Sequence, residues 1–158
     1  MGSNKALGRE KQVQPDAMEI LILIGLMIVN GLFALSEMAI VSVRQSSLQA
    51  KIDSGSKRAQ VALQLASNPE TALSTIQIGI TLVGIMAGAY GGATLVEPLS
   101  TILSEVVPSL GRATNTVSAV IVVGSTTYLS LVIGELVPKQ LALQNAEAVS
   151  LFVAHPLY

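Results

Sequence analysis

Three long apolar stretches dominate the pattern of the sequence. They cover residues 20–43, with a single charge at Glu37, and residues 71–96 and 113–134, which carry no charge at all. A helix needs roughly 20 apolar residues to cross the hydrocarbon core of a bilayer. Buried helices of soluble bundles are shorter and keep charges on one face. The pattern therefore predicts an all-α integral membrane protein with three transmembrane helices.

The loop between the first two stretches carries its own helical pattern. Residues 46–52 and 56–66 have apolar side chains four positions apart, and Ser54-Gly55-Ser56 separates the two segments. This spacing predicts two short juxtamembrane helices. They could lie on the cytoplasmic membrane surface as amphipathic helices, or form a solvated helical hairpin, and the sequence leaves both open.

The second apolar stretch has a clear beginning and an unusual face. Asn68-Pro69-Glu70 combines a capping residue, a proline suited to the first turn and an acid at the positive end of the helix dipole. One face then carries only small and polar residues, namely Ser74, Gln77, Thr81, Gly84, Gly88 and Gly91. We expect Gly84 and Gly88 to lie at a helix–helix contact. We also expect the glycines to break or bend this helix.

Two carboxylates fall inside the predicted crossings. Each would cost at least ~2.5 kcal/mol if it faced lipid, so each should face a partner, an ion or the protein interior. For Glu37, near one end of the first crossing, Arg44 is a candidate partner. Glu135 follows Gly134, and Pro138 has no N–H for the Gly134 carbonyl. A bound cation would satisfy both oxygens; the alternative is a kink in which Glu135 pairs with Lys139.

Composition narrows the classes of function. Only 12% of residues are charged, the net charge is −1, there is no Cys, and the single His is His155. This balance gives no basic surface for nucleic acid. It also excludes a disulfide framework and a cysteine nucleophile. Neither a nucleophile–base pair nor a cofactor fingerprint is visible, so we do not expect an enzyme.

Basic residues predict the orientation in the cell membrane. The first loop contains Arg44, Lys51, Lys57 and Arg58, whereas the second loop contains only Arg112. The positive-inside rule places the first loop and the C-terminus in the cytoplasm. Three basic residues near the N-terminus oppose this assignment, but they lie in residues 1–17, which we expect to be a mobile lead.

Three ordered motifs resemble one family. Residues 30–39, NGLFALSEMA, resemble the NxxFxxSExA opening of the CorC/CNNM (cyclin M) transmembrane domain, which also occurs in HlyC-type hemolysin-like proteins. Residues 68–85 resemble the second segment of that domain, and residues 134–139, GELVPK, resemble its GExxPK signature. The resemblance assigns residues 18–158 to this domain and implies a homodimer embedded in membrane lipid. It also implies cytosolic CBS domains, before which this chain stops.

The resemblance further implies transport of Mg²⁺, in the export direction and in some members coupled to Na⁺. The ion would be dehydrated at a midplane site, held by oxygen atoms of Ser36, Thr81, Gly134 (its carbonyl) and Glu135. Hydroxyl, carbonyl and carboxylate oxygens are ligands that suit Mg²⁺. Many relatives carry Asn on the second helix where this chain has Ile80, Thr81 and Gly84, so only Thr81 offers a side-chain oxygen there.

Two other functions are compatible with the sequence. The domain could be a membrane anchor or regulator that acts on another transporter, or an exporter of small organic cations such as polyamines. An organic-cation exporter needs an elongated cavity with several acids, and the crossings contain two. Stabilisation of the protein by divalent cations would favour the transporter over the anchor.

Overall fold

The computed structural model describes residues 16–154, and the secondary structure within this part of the chain is entirely helical. Three helical units are long and apolar enough to cross a membrane: α1 (Ala17–Ser42), α4 (Pro69–Val106) and the unit Pro108–Gln144. The prediction of an all-α membrane domain with three crossings is confirmed. Residues 1–15 of the expected lead, and His155, lie outside the described residues.

The first crossing begins close to the predicted position. The backbone N–H of Asp16 donates a hydrogen bond of 3.2 Å to Glu19 Oε2, which satisfies one of the free donors at the start of α1. Helix α1 ends at Ser42, and Val43 has the extended backbone that leads into the first loop.

Helix α4 begins at Pro69, as the Asn68-Pro69-Glu70 pattern predicts, and continues without a break to Val106. Neither the five glycines nor Pro98 interrupts it. At 1.5 Å per residue its 38 residues span about 57 Å, compared with the ~30 Å of a hydrocarbon core. The helix therefore extends well beyond the apolar stretch that ends at Val96.

The third crossing changes its helical form along its length. A 3₁₀ turn (Pro108–Ala113), in which Gly111 has φ 47°, leads into α5 (Thr114–Leu131). A π-helical segment (Val132–Leu136) follows and continues directly into α6 (Val137–Gln144). Departure from regular α-helix therefore occurs in the third crossing, at the GELVPK motif, and not in the glycine-rich second crossing.

The three crossings pack through small residues. A Cβ placed on Gly79 would lie 2.9 Å from the ring of Phe33, and one on Gly91 would lie 3.2 Å from the side chain of Thr126. These glycines allow close approach of α4 to α1 and α5. By contrast, a Cβ on Gly84 or Gly88 would have no neighbour within 4 Å. The prediction that Gly84 and Gly88 mediate a helix–helix contact is therefore wrong within this chain, because both border an open cavity.

A second, smaller bundle lies next to the crossings. It consists of α2 (Gln45–Asp53), α3 (Lys57–Ser67) and α7 (Ala146–Val153), and we call it the juxtamembrane bundle. Gly55, with φ 92°, makes the predicted turn between α2 and α3. The core of the juxtamembrane bundle consists of Val43, Leu48, Ala59, Ala62 and Ala154. Helix α7 was not expected from the sequence, and it joins the end of the described chain to the first loop.

Candidate cation site

The GELVPK motif is anchored to α1 by a buried hydrogen bond. Asn30 Nδ2 donates to the carbonyl oxygen of Gly134 over 3.1 Å. Pro138 lacks the N–H that this carbonyl would meet in a regular α-helix. The sequence predicted that the carbonyl is freed from the usual helical partner, and in the structure the Asn30 amide is its donor.

Two glycines make this contact possible. A Cβ on Gly31 would lie 3.0 Å from Cγ of Pro138 and 3.4 Å from the carbonyl oxygen of Ile133. A Cβ on Gly134 would lie 3.0 Å from Nδ2 of Asn30 and 3.4 Å from the carbonyl oxygen of Met27. The backbone of α1 therefore lies directly against the π-helical segment, and this contact fixes the position of Glu135 relative to α1.

Both carboxylates inside the crossings contact one ammonium group. Lys139 Nζ donates a hydrogen bond of 2.9 Å to Glu135 Oε1 and lies 3.2 Å from Glu37 Oε2. The side chains remain partly accessible, between 20% for Glu37 and 34% for Glu135. The i,i+4 pair that the sequence left as an alternative is therefore present. The ion pair of Glu37 is with Lys139, whereas the sequence suggested Arg44.

A cavity of about 200 Å³ opens beside the ion-paired side chains of Glu37, Glu135 and Lys139. Its wall combines the carboxylate of Glu135 with one amide, three hydroxyl groups and two glycines. The lining residues include Asn30, Gly84, Gly88, Thr126, Thr127, Ser130 and Glu135. A water in the liquid takes up about 30 Å³, so the cavity is large enough for an ion with several waters.

Asn30, which lines the cavity, has one side-chain atom without a hydrogen-bond partner. The Gly134 carbonyl can only accept, so the Asn30 NH₂ group must face it. The other amide atom, Oδ1, is buried and has no hydrogen-bond donor within residues 16–154. Asn30 itself is only 5% exposed. A buried acceptor without a donor is unfavourable by about 1–3 kcal/mol, and a cation or an ordered water would relieve that cost.

Of the four predicted site residues, only Glu135 lines the cavity. Gly134 precedes it in the chain, and its carbonyl oxygen accepts the hydrogen bond from Asn30. Thr81 lines a separate open groove with Ser74 and Gln77, and its hydroxyl donates to the carbonyl oxygen of Gln77 over 2.9 Å. The Ser36 hydroxyl donates to the carbonyl oxygen of Leu32 over 2.6 Å. Each of these hydroxyl oxygens keeps lone pairs for a ligand, but neither residue is among those that line the cavity.

Sequence reasoning did not select Asn30, Thr126, Thr127 and Ser130 as cavity residues. A signal for Asn30 was available, since it opens the NxxFxxSExA motif and is an amide within an apolar stretch. The hydroxyl residues carry a weaker signal, because Ser and Thr also occur at simple packing contacts between membrane helices. In the part of the chain that the structure describes, no group of three His, Cys, Asp or Glu side chains is placed to hold a metal ion. A cation here would therefore depend mainly on neutral oxygens.

Comparison with known proteins identifies the family. Residues 21–158 match the cyclin M transmembrane N-terminal domain. The chain is 43% identical over 141 residues to UPF0053 protein sll0260 of Synechocystis, a match that covers 89% of this chain and 31% of that protein. It is 38% identical over 143 residues to UPF0053 protein YhdT of Bacillus subtilis, covering 90% of this chain and 31% of the relative. The chain thus spans about a third of the length of these relatives. The three motifs, the three apolar helices and these matches establish that the chain belongs to the cyclin M (CNNM) transmembrane domain family.

Proposed function

We propose that this domain transports a divalent cation, Mg²⁺, across the cell membrane, and that the ion binds in the cavity beside Glu135. Membership of the cyclin M family supports a role in membrane ion homeostasis. Two observations carry the proposal: Asn30 and Glu135 line the same cavity, and the buried Oδ1 of Asn30 has no hydrogen-bond donor within the described chain.

The chemistry of the cavity suits a hard cation. Carboxylate, amide and hydroxyl oxygens surround it, and Mg²⁺ prefers oxygen ligands and commonly keeps several of its waters. The volume of about 200 Å³ accommodates such a partly hydrated ion. Soft metals are disfavoured, because the cavity lining contains neither His nor Cys.

The other predicted ligands would join in a different arrangement of the helices. Ser36 lies on α1 and Thr81 lies on α4, and both helices pack against the third crossing. A closed, dehydrated site would require α4 to bring Thr81 towards Glu135, and Gly134 to exchange Asn30 for the ion. Such a change would give the alternating access that a transporter needs. We further propose that the protein works as a homodimer, and that Na⁺ drives export of the ion.

The decisive experiment compares Glu135→Gln with the wild-type protein. The change keeps the size of the side chain and removes its charge, so Mg²⁺ affinity measured by calorimetry should fall at least about tenfold, a loss of about 1.4 kcal/mol. Mg²⁺ flux into liposomes should fall with it. Glu105→Gln is the matched control, because Glu105 is exposed near the end of α4. Unchanged affinity in Glu135→Gln would refute the site, and flux measured with and without a Na⁺ gradient tests the coupling.

A further inference from the structure

We propose that Lys139 is a built-in competitor for the ion at Glu135, and that Glu37 is the position to which its ammonium group withdraws when the ion binds. This inference rests on the proposed function, and it concerns what sets the affinity of that site.

The contacts of Lys139 with the two carboxylates are unequal. With Glu135 it makes a hydrogen bond of 2.9 Å. With Glu37 it makes an ionic contact of 3.2 Å to Oε2, an oxygen that is buried and has no hydrogen bond within the described chain. Glu37 can therefore accept the ammonium more fully than it does here. A small movement of the Lys139 side chain would convert one arrangement into the other.

Charge balance shows why this matters for a divalent ion. The two carboxylates and one ammonium sum to −1, so a bound divalent cation leaves the cluster at +1. Without the ammonium, no positive charge would compete with the ion for Glu135, and the site would hold the ion more tightly. A site that moves an ion must also release it, so very tight binding would slow transport. An internal ammonium that returns to Glu135 promotes release.

The arrangement predicts opposite effects for the two neighbours of Glu135. Lys139→Met removes the competitor and should raise Mg²⁺ affinity by about tenfold, the order expected for directly interacting charged groups. Glu37→Gln removes the position to which the ammonium withdraws, so Lys139 should stay on Glu135 and Mg²⁺ affinity should fall. In the double variant Glu37→Gln/Lys139→Met, affinity should match that of Lys139→Met, because Glu37 acts only through Lys139.

Calorimetry with Mg²⁺ on the four proteins tests this, and Lys139→Arg serves as the charge-preserving control that should not gain affinity. A purely structural role for Lys139 cannot produce a gain in affinity. Unchanged or weaker binding in Lys139→Met would overturn the inference, and so would a Glu37→Gln defect that persists in the double variant. If Lys139→Met does not fold, an unchanged or higher affinity in Glu37→Gln alone would overturn it. Failure of the proposed function can be distinguished from failure of this inference. In that case, Glu135→Gln would leave Mg²⁺ affinity unchanged.

Discussion

Asn30 and Gly134 are joined by a buried hydrogen bond of 3.1 Å, although 104 positions separate them in the sequence. The bond joins the first crossing to the π-helical segment of the third at the point where Pro138 has removed the usual backbone donor. Asn30 therefore anchors the π-helical segment to the first crossing, and the same residue lines the cavity.

Replacing Asn30 by Ala should destabilise the protein. The Gly134 carbonyl would lose its side-chain donor in a buried position, at a cost of about 1–3 kcal/mol in the free energy of unfolding. Thermal melts in detergent would measure the loss. Asn115→Ala is the control, because Asn115 is exposed in the first turn of α5 and should tolerate the change. Equal melting temperatures for the two variants would contradict this prediction.

Gly31 should not tolerate a methyl group. In Gly31→Ala the new Cβ would lie 3.0 Å from the buried ring of Pro138, with backbone behind it at 3.4 Å. Overpacking of this kind typically costs about 1–3 kcal/mol of stability. Gly25→Ala, on the same helix, meets no atom within 4 Å, so it should be neutral or slightly stabilising. The prediction fails if chemical or thermal unfolding ranks the two variants in the opposite order.

The two parts of the juxtamembrane bundle should lie on the same side of the membrane. Lys51 of α2 and Glu147 of α7 form an ion pair of 3.0 Å, and three crossings also put these helices on one side. We predict that this side is the cytoplasm. Single cysteines at Ser56 and Ala148 should be protected from an impermeant maleimide in intact cells, whereas one at Ser109, exposed between α4 and α5, should be labelled. Labelling of position 56 from outside would reverse the topology.

The juxtamembrane bundle should weaken in acid through Glu147. A hydrogen bond from Ser47, and then the Lys51 ammonium, hold the pKa of Glu147 below its ordinary value of 4.5. A lowered pKa in the folded state contributes stability above the unfolded pKa, and this is lost as the pH falls through the folded pKa. Wild-type protein should therefore have a slightly higher melting temperature than Glu147→Gln at pH 7, and the difference should shrink as the pH falls below 4.5, the ordinary pKa of the group. A difference that stays constant down to pH 3 would contradict this assignment.

Local chemistry explains which parts of the fold were predictable. Three predictions agree with the structure because each depends only on neighbouring residues. They are the lengths of the apolar stretches, the start of α4 at Asn68-Pro69-Glu70 and the turn at Gly55. The continuation of α4 to Val106 was not expected, because the helix extends past the apolar stretch and contains Pro98. Helix α7 packs against α1 and α3 and forms the Lys51–Glu147 ion pair with α2, and no local sequence pattern reveals these contacts.

The candidate site shows the same division. Glu135 and the freed carbonyl of Gly134 follow from the motif itself, since Pro138 lies four residues after Gly134. The residues that surround Gly134 and Glu135 depend on how α1 and α5 pack against the third crossing and the second. Asn30 and Thr126 therefore could not be assigned to the site from the sequence. Small residues were also ambiguous, because Gly91 makes a close helix contact whereas Gly88 borders the cavity.

The π-helical segment has a consequence for how this sequence can change in length. A π turn holds one residue more than an α turn, so Val132–Leu136 acts as a one-residue insertion that the helix has absorbed. Each residue corresponds to about 100° of rotation in an α-helix. Deleting one residue here would restore a regular helix but turn all of α6, carrying Pro138 away from Gly31 and Lys139 away from Glu37. Surface loops can gain or lose residues at little cost, whereas this single turn determines which face of α6 points towards α1.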